Sequence, residues 1–424
     1  MKMNKSMLNN LIWLLSEKAV RLVVGFLVSI WLARYLGPEN FGILAYSLAT
    51  LMVAQSISKL GLDGIVIRDL STSKTPEVLI STTIAMRFFT GALVYLVLLL
   101  ALYIFEDKQT VIIFSMVGLS LIFQNFETID LYFQSISKNK LSVISKLSSY
   151  IIINIIRAAC IYFECPLYIF AILVSIEFAI TSVFLFAVYS KLNLKLVKAD
   201  ISIAHDLIKE SWPFMLSSLA SVIYMRVDQI FIKNYLSNES LGHYSVVVAL
   251  SSQFHFIPMV FQKIFTPYFS KLRVNNVEIY EMRIENLFGL YALIGWIICI
   301  PIYYLSDYIV LTLYGPSYSP SVDVLKIYIF TNFFIMMGMG QTIWMTIERK
   351  SKLSLKRTVF GLMVCLIMNL LLVPEYGLIG AAISSVSAQA AQSVLSNIFF
   401  ERRILLTQIK AMLVIPTLKG VFKF

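Results

Sequence analysis

Charge is what this chain is short of. Only 14% of its 424 residues are Asp, Glu, Lys or Arg, while 58% are hydrophobic and the mean hydropathy is +0.80. A soluble chain of this length would cover itself with far more charge, which leaves a polytopic membrane protein. No stretch is long and polar enough to form a separate soluble domain. Cysteine is scarce too. Cys160, Cys165, Cys299 and Cys365 lie in or beside apolar runs, at spacings that match no zinc, haem or disulfide pattern, so neither a metal nor a cofactor is expected. The chain also lacks a Walker-type phosphate loop, an H-E-x-x-H helix and a nucleophile elbow. It is therefore not expected to hydrolyse ATP itself or to be an enzyme. The first apolar run, Leu11 to Ala33, has no small-residue cleavage site and does not read as a removable signal.

What is present is a series of apolar runs. They lie at about 11–33, 41–60, 80–104, 111–136, 141–163 and 167–189, then at 212–234, 242–266, 287–306, 323–346, 357–373 and 378–400. Twelve spans of roughly 20 residues fit a chain of this size. With the N-terminus in the cytoplasm, 25 of the 35 Lys and Arg fall on the cytoplasmic side and only Arg34, Lys108 and Lys233 on the other. That asymmetry places both termini inside. It also accounts for the net charge of +11 without nucleic acid.

The expected fold is all-α, in two parallel six-helix halves. An N-terminal bundle (1–190) is followed by a cytoplasmic linker (191–211), a C-terminal bundle (212–400) and a basic cytoplasmic tail (401–424). The octet Tyr35-Leu36-Gly37-Pro38-Glu39-Asn40-Phe41-Gly42 recurs as Tyr235-Leu236-Ser237-Asn238-Glu239-Ser240-Leu241-Gly242, at the same place in each half. Parallel repeats place a substrate site at their interface near the midplane. The tail from Arg402 mixes basic and apolar residues and suits the anionic inner leaflet.

Seven cations nonetheless fall inside spans: Lys18, Arg21, Arg87, Lys146, Arg157, Arg226 and Lys326. Each costs at least about 2.5 kcal/mol in hydrocarbon, so such residues face a bundle interior or a wet cavity. On span five, Lys146, Tyr150, Asn154 and Arg157 share one face, and the two cations are about 16 Å apart along the axis. Snorkelling to the two headgroup layers would account for the cations, a cavity lining for all four. On span four, Gln124, Glu127, Asp130 and Gln134 lie within an arc of about 120° at 100° per residue. This acidic face reads as a buried ion-pair network or as gating and ion-coupling machinery, and the two readings are compatible. Glu17 and Arg21 form an i, i+4 pair. Glu177 needs a basic neighbour, and Arg226 and Asp228, two residues apart, each need another partner. His255 is ambiguous, more often a hydrogen-bonded packing residue at such a place than a proton carrier, and Lys326 is near enough to a span end to snorkel.

The run Ala33-Arg34-Tyr35-Leu36-Gly37-Pro38-Glu39-Asn40-Phe41-Gly42, followed by Leu60-Gly61-Leu62-Asp63-Gly64 and Ile67-Arg68, resembles the N-terminal signature of Wzx-type flippases. So do Phe123-Gln124-Asn125-Phe126-Glu127, where that family often has Gly in place of Asn125, and in the second half Tyr314-Gly315-Pro316-Ser317-Tyr318 and Pro374-Glu375-Tyr376-Gly377-Leu378-Ile379-Gly380-Ala381-Ala382. The resemblance spans the whole chain. It implies a MATE-like exporter of lipid-linked oligosaccharides in the bacterial inner membrane. The implied cargo is an undecaprenyl-diphosphate-linked O-antigen or related repeat unit, and the implied partners are an O-antigen polymerase and chain-length regulator. On that footing Lys18, Arg21, Arg87, Lys146, Asn154, Arg157 and Arg226 are expected to bind the diphosphate. Glu127, Asp130, Glu177 and Asp228 are expected to gate or couple ions. The alternative is a cation-coupled drug exporter of the same fold, which calls for an acidic rather than a basic cavity.

Overall fold

The computed structural model describes residues 5–413 apart from Lys74 and Asn193, with side chains described from Trp13 onward except Leu15, Ser351 and Leu413. Lys2, Lys74, Lys419 and Lys423, counted above in the charge asymmetry, lie outside those residues. All regular structure among the described residues is helical. The helices are α1 (Lys5–Ser58), α2 (Asp63–Leu70), α3 (Pro76–Phe105), α4 (Lys108–Gly118), α5 (Ser120–Phe123), α6 (Thr128–Ser135), α7 (Asn139–Tyr162), α8 (Leu167–Lys191) and α9 (Ile201–Tyr235). They continue as α10 (Asn238–Ser252), α11 (Phe256–Asn275), α12 (Val277–Tyr314), α13 (Ser321–Tyr328), α14 (Phe330–Ile347), α15 (Ser351–Ala390), α16 (Asn397–Phe400) and α17 (Arg402–Leu413). The chain forms two compact units, Met1–Ile223 and Tyr224–Phe424.

Ten helical stretches among the described residues are long and apolar enough to cross a membrane, which makes this a multi-pass membrane protein. Two of them, Ser16–Ser58 and Lys352–Phe400, are 43 and 49 residues long. A straight helix of 43 residues would run about 65 Å, twice the hydrocarbon thickness. Both are in fact broken. Gly37 has φ 71° and ψ 170°, and Gly377 has φ 57° and ψ −132°. Each break falls between two of the apolar runs seen in the sequence. Pro38 begins the second arm at Gly37, where a missing N–H costs nothing.

One boundary differs from the sequence reading. α9 begins at Ile201 rather than 212, because the Asp200 carboxylate caps it by accepting the Ser202 and Ile203 N–H groups at 2.8 and 3.3 Å. The connector before it is not loose. Its Lys195, Val197 and Asp200 N–H groups donate at 2.9 Å each to Glu77, Ser81 and Thr82 on the first turns of α3. The described part of the tail is helical. Ile404 and Gln408 of α17 are buried, and Gln408 joins a buried amide chain with Asn397 and Gln341, so this part of the tail docks on its own unit.

The first unit is built around two apolar clusters. One gathers Leu32, Leu36, Leu51, Ile113, Leu121 and Ala171, the other Leu62, Val66, Ile80, Ile129, Phe133 and Leu185. Along α8, Ala171 belongs to the first and Leu185 to the second, with Glu177 between them. Between Leu121 and Ile129 the helix tightens into a 3-10 turn, Gln124–Glu127. The buried charges around Glu177 therefore lie in a layer between two greasy ones.

Candidate functional site

That layer in the first unit is an alternating chain of charges. Asp130 on α6 pairs with Lys146 on α7 at 3.0 Å, and Lys146 with Glu17 on α1 at 3.2 Å. Glu17 pairs with Arg21 at 3.2 Å, Arg21 with Glu177 on α8 at 3.5 Å, and Glu177 with Arg157 at 3.2 Å. Three acids and three bases thus tie four helices together. Neutral groups fill in the chain: Ser142 donates to Asp130, the Tyr150 hydroxyl donates to the Arg21 carbonyl at 3.0 Å, and Asn154 accepts from Arg157 at 3.3 Å. The Arg21 guanidinium also sits 4.6 Å over the Tyr150 ring. Glu17, Asp130, Tyr150 and Asn154 are buried, whereas the Arg21 side chain stays one-third exposed, so the chain opens there. Lys18 is exposed on the same turn of α1.

The stripe on span five is therefore a unit in the structure, and Lys146 and Arg157 both point into the bundle. The arc on span four is not. The 3-10 turn changes the phase at Glu127, and its carboxylate goes to Lys59 at 3.5 Å while Asp130 goes to Lys146. Gln124 donates to Ser58 at 2.8 Å. Arg87, 3% exposed, is answered by Asp63 at 2.6 Å and by Thr128 at 3.3 Å. Sequence reasoning missed Lys59 and Asp63 as members of this site, although Asp63 stands in the Leu60–Gly64 motif. At the edge of the same unit, Arg68 on α2 holds Glu210 through two bonds of 2.5 and 2.9 Å. Hydrogen bonds to Glu210 and then Asp69 push the Arg68 guanidinium further above its ordinary range.

The second unit is arranged differently. Asp228 is buried and its carboxylate meets only neutral donors: the Tyr244 hydroxyl, the Ser385 hydroxyl at 3.2 Å and the Gln229 N–H at 2.8 Å. Arg226, two residues away on α9, makes no hydrogen bond or ion pair with the described residues, and its Nε is buried without a partner. Lys326 pairs with Asp307 at 3.1 Å and Asp323 at 3.4 Å, both exposed, and belongs to the rim. His255 lies in a 3-10 turn, Gln253–His255, half-buried among apolar neighbours. No group of His, Cys, Asp and Glu among the described residues could hold a metal.

The described residues are helical throughout their regular structure, with two broken spans and, in the first unit, a charged interior layer, and solved membrane proteins share this fold. The chain superimposes on the lipid II flippase MurJ in an inward closed conformation with a TM-score of 0.71, covering 94% of this chain and 90% of that one at 15% identity. It superimposes on an inward-facing multidrug resistance MATE family transporter of the MOP superfamily with a TM-score of 0.64, covering 92% and 95% at 13% identity. At these identities the likeness is one of fold. Residues 7–273 match the polysaccharide biosynthesis protein family, and the chain belongs to that family. The probable flippase AglR of Haloferax volcanii is 27% identical over 221 residues, a match that spans 50% of this chain but only 45% of that relative.

Proposed function

We propose that this protein is a flippase that moves undecaprenyl-diphosphate-linked O-antigen or related repeat units from the cytoplasmic to the periplasmic leaflet of the bacterial inner membrane. In this reading the ten long stretches make twelve crossings, the breaks at Gly37 and Gly377 separating two pairs, with both termini cytoplasmic. Family membership and a relative named as a flippase support it. The observation that carries it is the charge chain of the first unit. A diphosphate brings about two negative charges and competes with Glu17, Asp130 and Glu177 for the same three cations. A bound diphosphate would release the helices that those carboxylates hold together, and its departure would let them close again. Access would alternate as the pairs exchange, with the neutral sugars needing only a wet, hydrogen-bonding path. Lys18, Arg87 and Arg226 would extend the cationic path, and the polymerase and chain-length regulator would act on the delivered unit. Charge reversal tests this. Arg157→Glu or Arg87→Glu, expressed in a strain lacking its own flippase, should abolish surface polysaccharide while the protein still reaches the membrane. Normal polysaccharide in both variants would sink the reading.

A second reading, a cation-coupled exporter of small cationic molecules, draws on Asp228 with Tyr244 and Ser385, a buried carboxylate set among hydroxyls. It predicts resistance to cationic drugs in a hypersensitive host that is lost in Asp228→Asn. Unchanged sensitivity on expression of the wild-type chain would remove it.

A further inference from the structure

The sequence places Arg357 in a basic stretch with Arg349, Lys350, Lys352 and Lys356, where it counts as one more loop cation. In the structure it is 4% exposed, two turns inside α15. No carboxylate among the described residues lies within ion-pair distance of it. Two other cations of the same unit, Lys350 and Arg273, have theirs, in Glu401 and Glu348. A buried guanidinium with no counter-charge is costly, and this one is held in place by a specific device. At residues Ala391–Leu395 the helix widens into a single π-turn. The Ser396 N–H reaches back five residues to the Ala391 carbonyl at 2.8 Å, so the Gln392 carbonyl loses its helical donor. Arg357 Nε takes that carbonyl at 2.9 Å, and the Ser396 hydroxyl shares it.

The remaining face of the guanidinium is left with weak company. Nη1 reaches only the Met345 thioether at 3.5 Å. Nη2 faces Gly338, where a Cβ would stand 3.7 Å from it and only 2.6 Å from Ser393 Oγ, so the absence of a side chain keeps that approach clear. Around it stand neutral hydrogen-bonding groups, Ser393 buried and Tyr224, Thr358, Gln389 and Gln392 half-buried. Tyr224 donates to Gln389 at 2.8 Å, Gln389 donates to Ser393 at 3.1 Å, and Gln392 donates to Thr358 at 3.4 Å.

We infer that Arg357 is the anchor of an anion seat in the second unit that takes the phosphate or diphosphate group of a ligand, with Gln389, Ser393 and Tyr224 serving the oxygens and hydroxyls beside it. A planar fork with one edge fixed on a carbonyl and the other turned toward neutral donors suits a phosphoryl group better than a single carboxylate. The identity of that ligand as the lipid-linked diphosphate of the cargo rests on the flippase reading, but the anion seat itself does not.

The test uses the full-length protein in lipid nanodiscs, with binding measured by native mass spectrometry and thermal unfolding measured without ligand. The probes are undecaprenyl diphosphate and inorganic pyrophosphate. Arg357→Met should weaken pyrophosphate binding at least tenfold and leave the ligand-free melting temperature unchanged or raised, because an apolar replacement removes an uncompensated buried charge. Arg357→Lys should retain part of the binding, keeping the charge without the fork. If undecaprenyl diphosphate binds more tightly than pyrophosphate and loses the same factor, the seat belongs to the lipid-linked cargo. If pyrophosphate shows the Arg357 dependence and the lipid form binds no better, the seat stands and the flippase reading fails. A melting temperature that drops in Arg357→Met while both ligands bind as in wild type would show a purely structural arginine and overturn the inference.

Discussion

The two units treat buried positive charge in opposite ways. In the first, Arg21, Arg87, Lys146 and Arg157 each lie within 3.5 Å of a carboxylate, and the acids are shared so that neighbouring helices are cross-linked. In the second, neither Arg226 nor Arg357 forms an ion pair with a carboxylate among the described residues, and the buried carboxylate Asp228 takes its hydrogen bonds from neutral donors. Cations at the ends of the second unit's helices, Arg273, Lys326, Lys350 and Arg403, are all paired. The contrast is therefore confined to the interior. A self-neutralised layer can hold a conformation and must be pried open by a ligand. An uncompensated arginine neutralises no carboxylate and gains most from an incoming anion.

The largest test of that contrast is Lys146→Met. It leaves Asp130 and Glu17 buried without their shared cation, and removal of one partner from a buried pair costs about 3–5 kcal/mol. Thermal unfolding of the purified protein should show the loss, and an unchanged melting temperature would dissolve the idea of a compensated layer. Asp228→Asn comes next. It disturbs a buried acceptor set of two hydroxyls and an N–H, and an expected cost of about 1–3 kcal/mol should appear in the same measurement. Gly37→Ala, which places a Cβ at φ 71°, should cost about 1–2 kcal/mol without altering either charge set. Equal losses in ligand-free and pyrophosphate-bound protein would confirm that it acts on the backbone alone. The smallest effect should come from Arg226→Gln, within about 0.5 kcal/mol of wild type, since it breaks no hydrogen bond or ion pair and removes only a charge two residues from Asp228. A loss as large as that of Lys146→Met would mean that Arg226 is compensated after all, and would erase the difference between the units.

Much of the first unit was legible in the sequence because its signals are local. The face shared by Lys146, Tyr150, Asn154 and Arg157 follows from helical spacing, and the Glu17–Arg21 pair from an i, i+4 register. The break at Gly37 falls where the apolar runs are interrupted, as does that at Gly377 in the second unit. What escaped depended on departures from ideal helix. The 3-10 turn at Gln124–Glu127 rotates Glu127 away from Asp130 and gives it to Lys59, a residue that reads as loop. The π-turn at Ala391–Leu395 is invisible to periodicity, and without it nothing distinguishes Arg357 from the four cations around it. Partner choice across helices, as in Arg87 with Asp63, is a tertiary fact that no spacing along one helix records.

The π-turn has a consequence for register. It spends one residue more than an α-helical turn, so everything beyond it is rotated by about 100° relative to an uninterrupted helix. Asn397 meets Gln341 and Gln408 only because of that offset. Deleting a single residue between 391 and 395 would restore the regular helix. That one change would return the Gln392 carbonyl to its helical donor, turn Asn397 out of its amide chain and detach α17. A related chain that lacks the turn would align with this one across a one-residue gap, and the Arg357 seat should be absent from it.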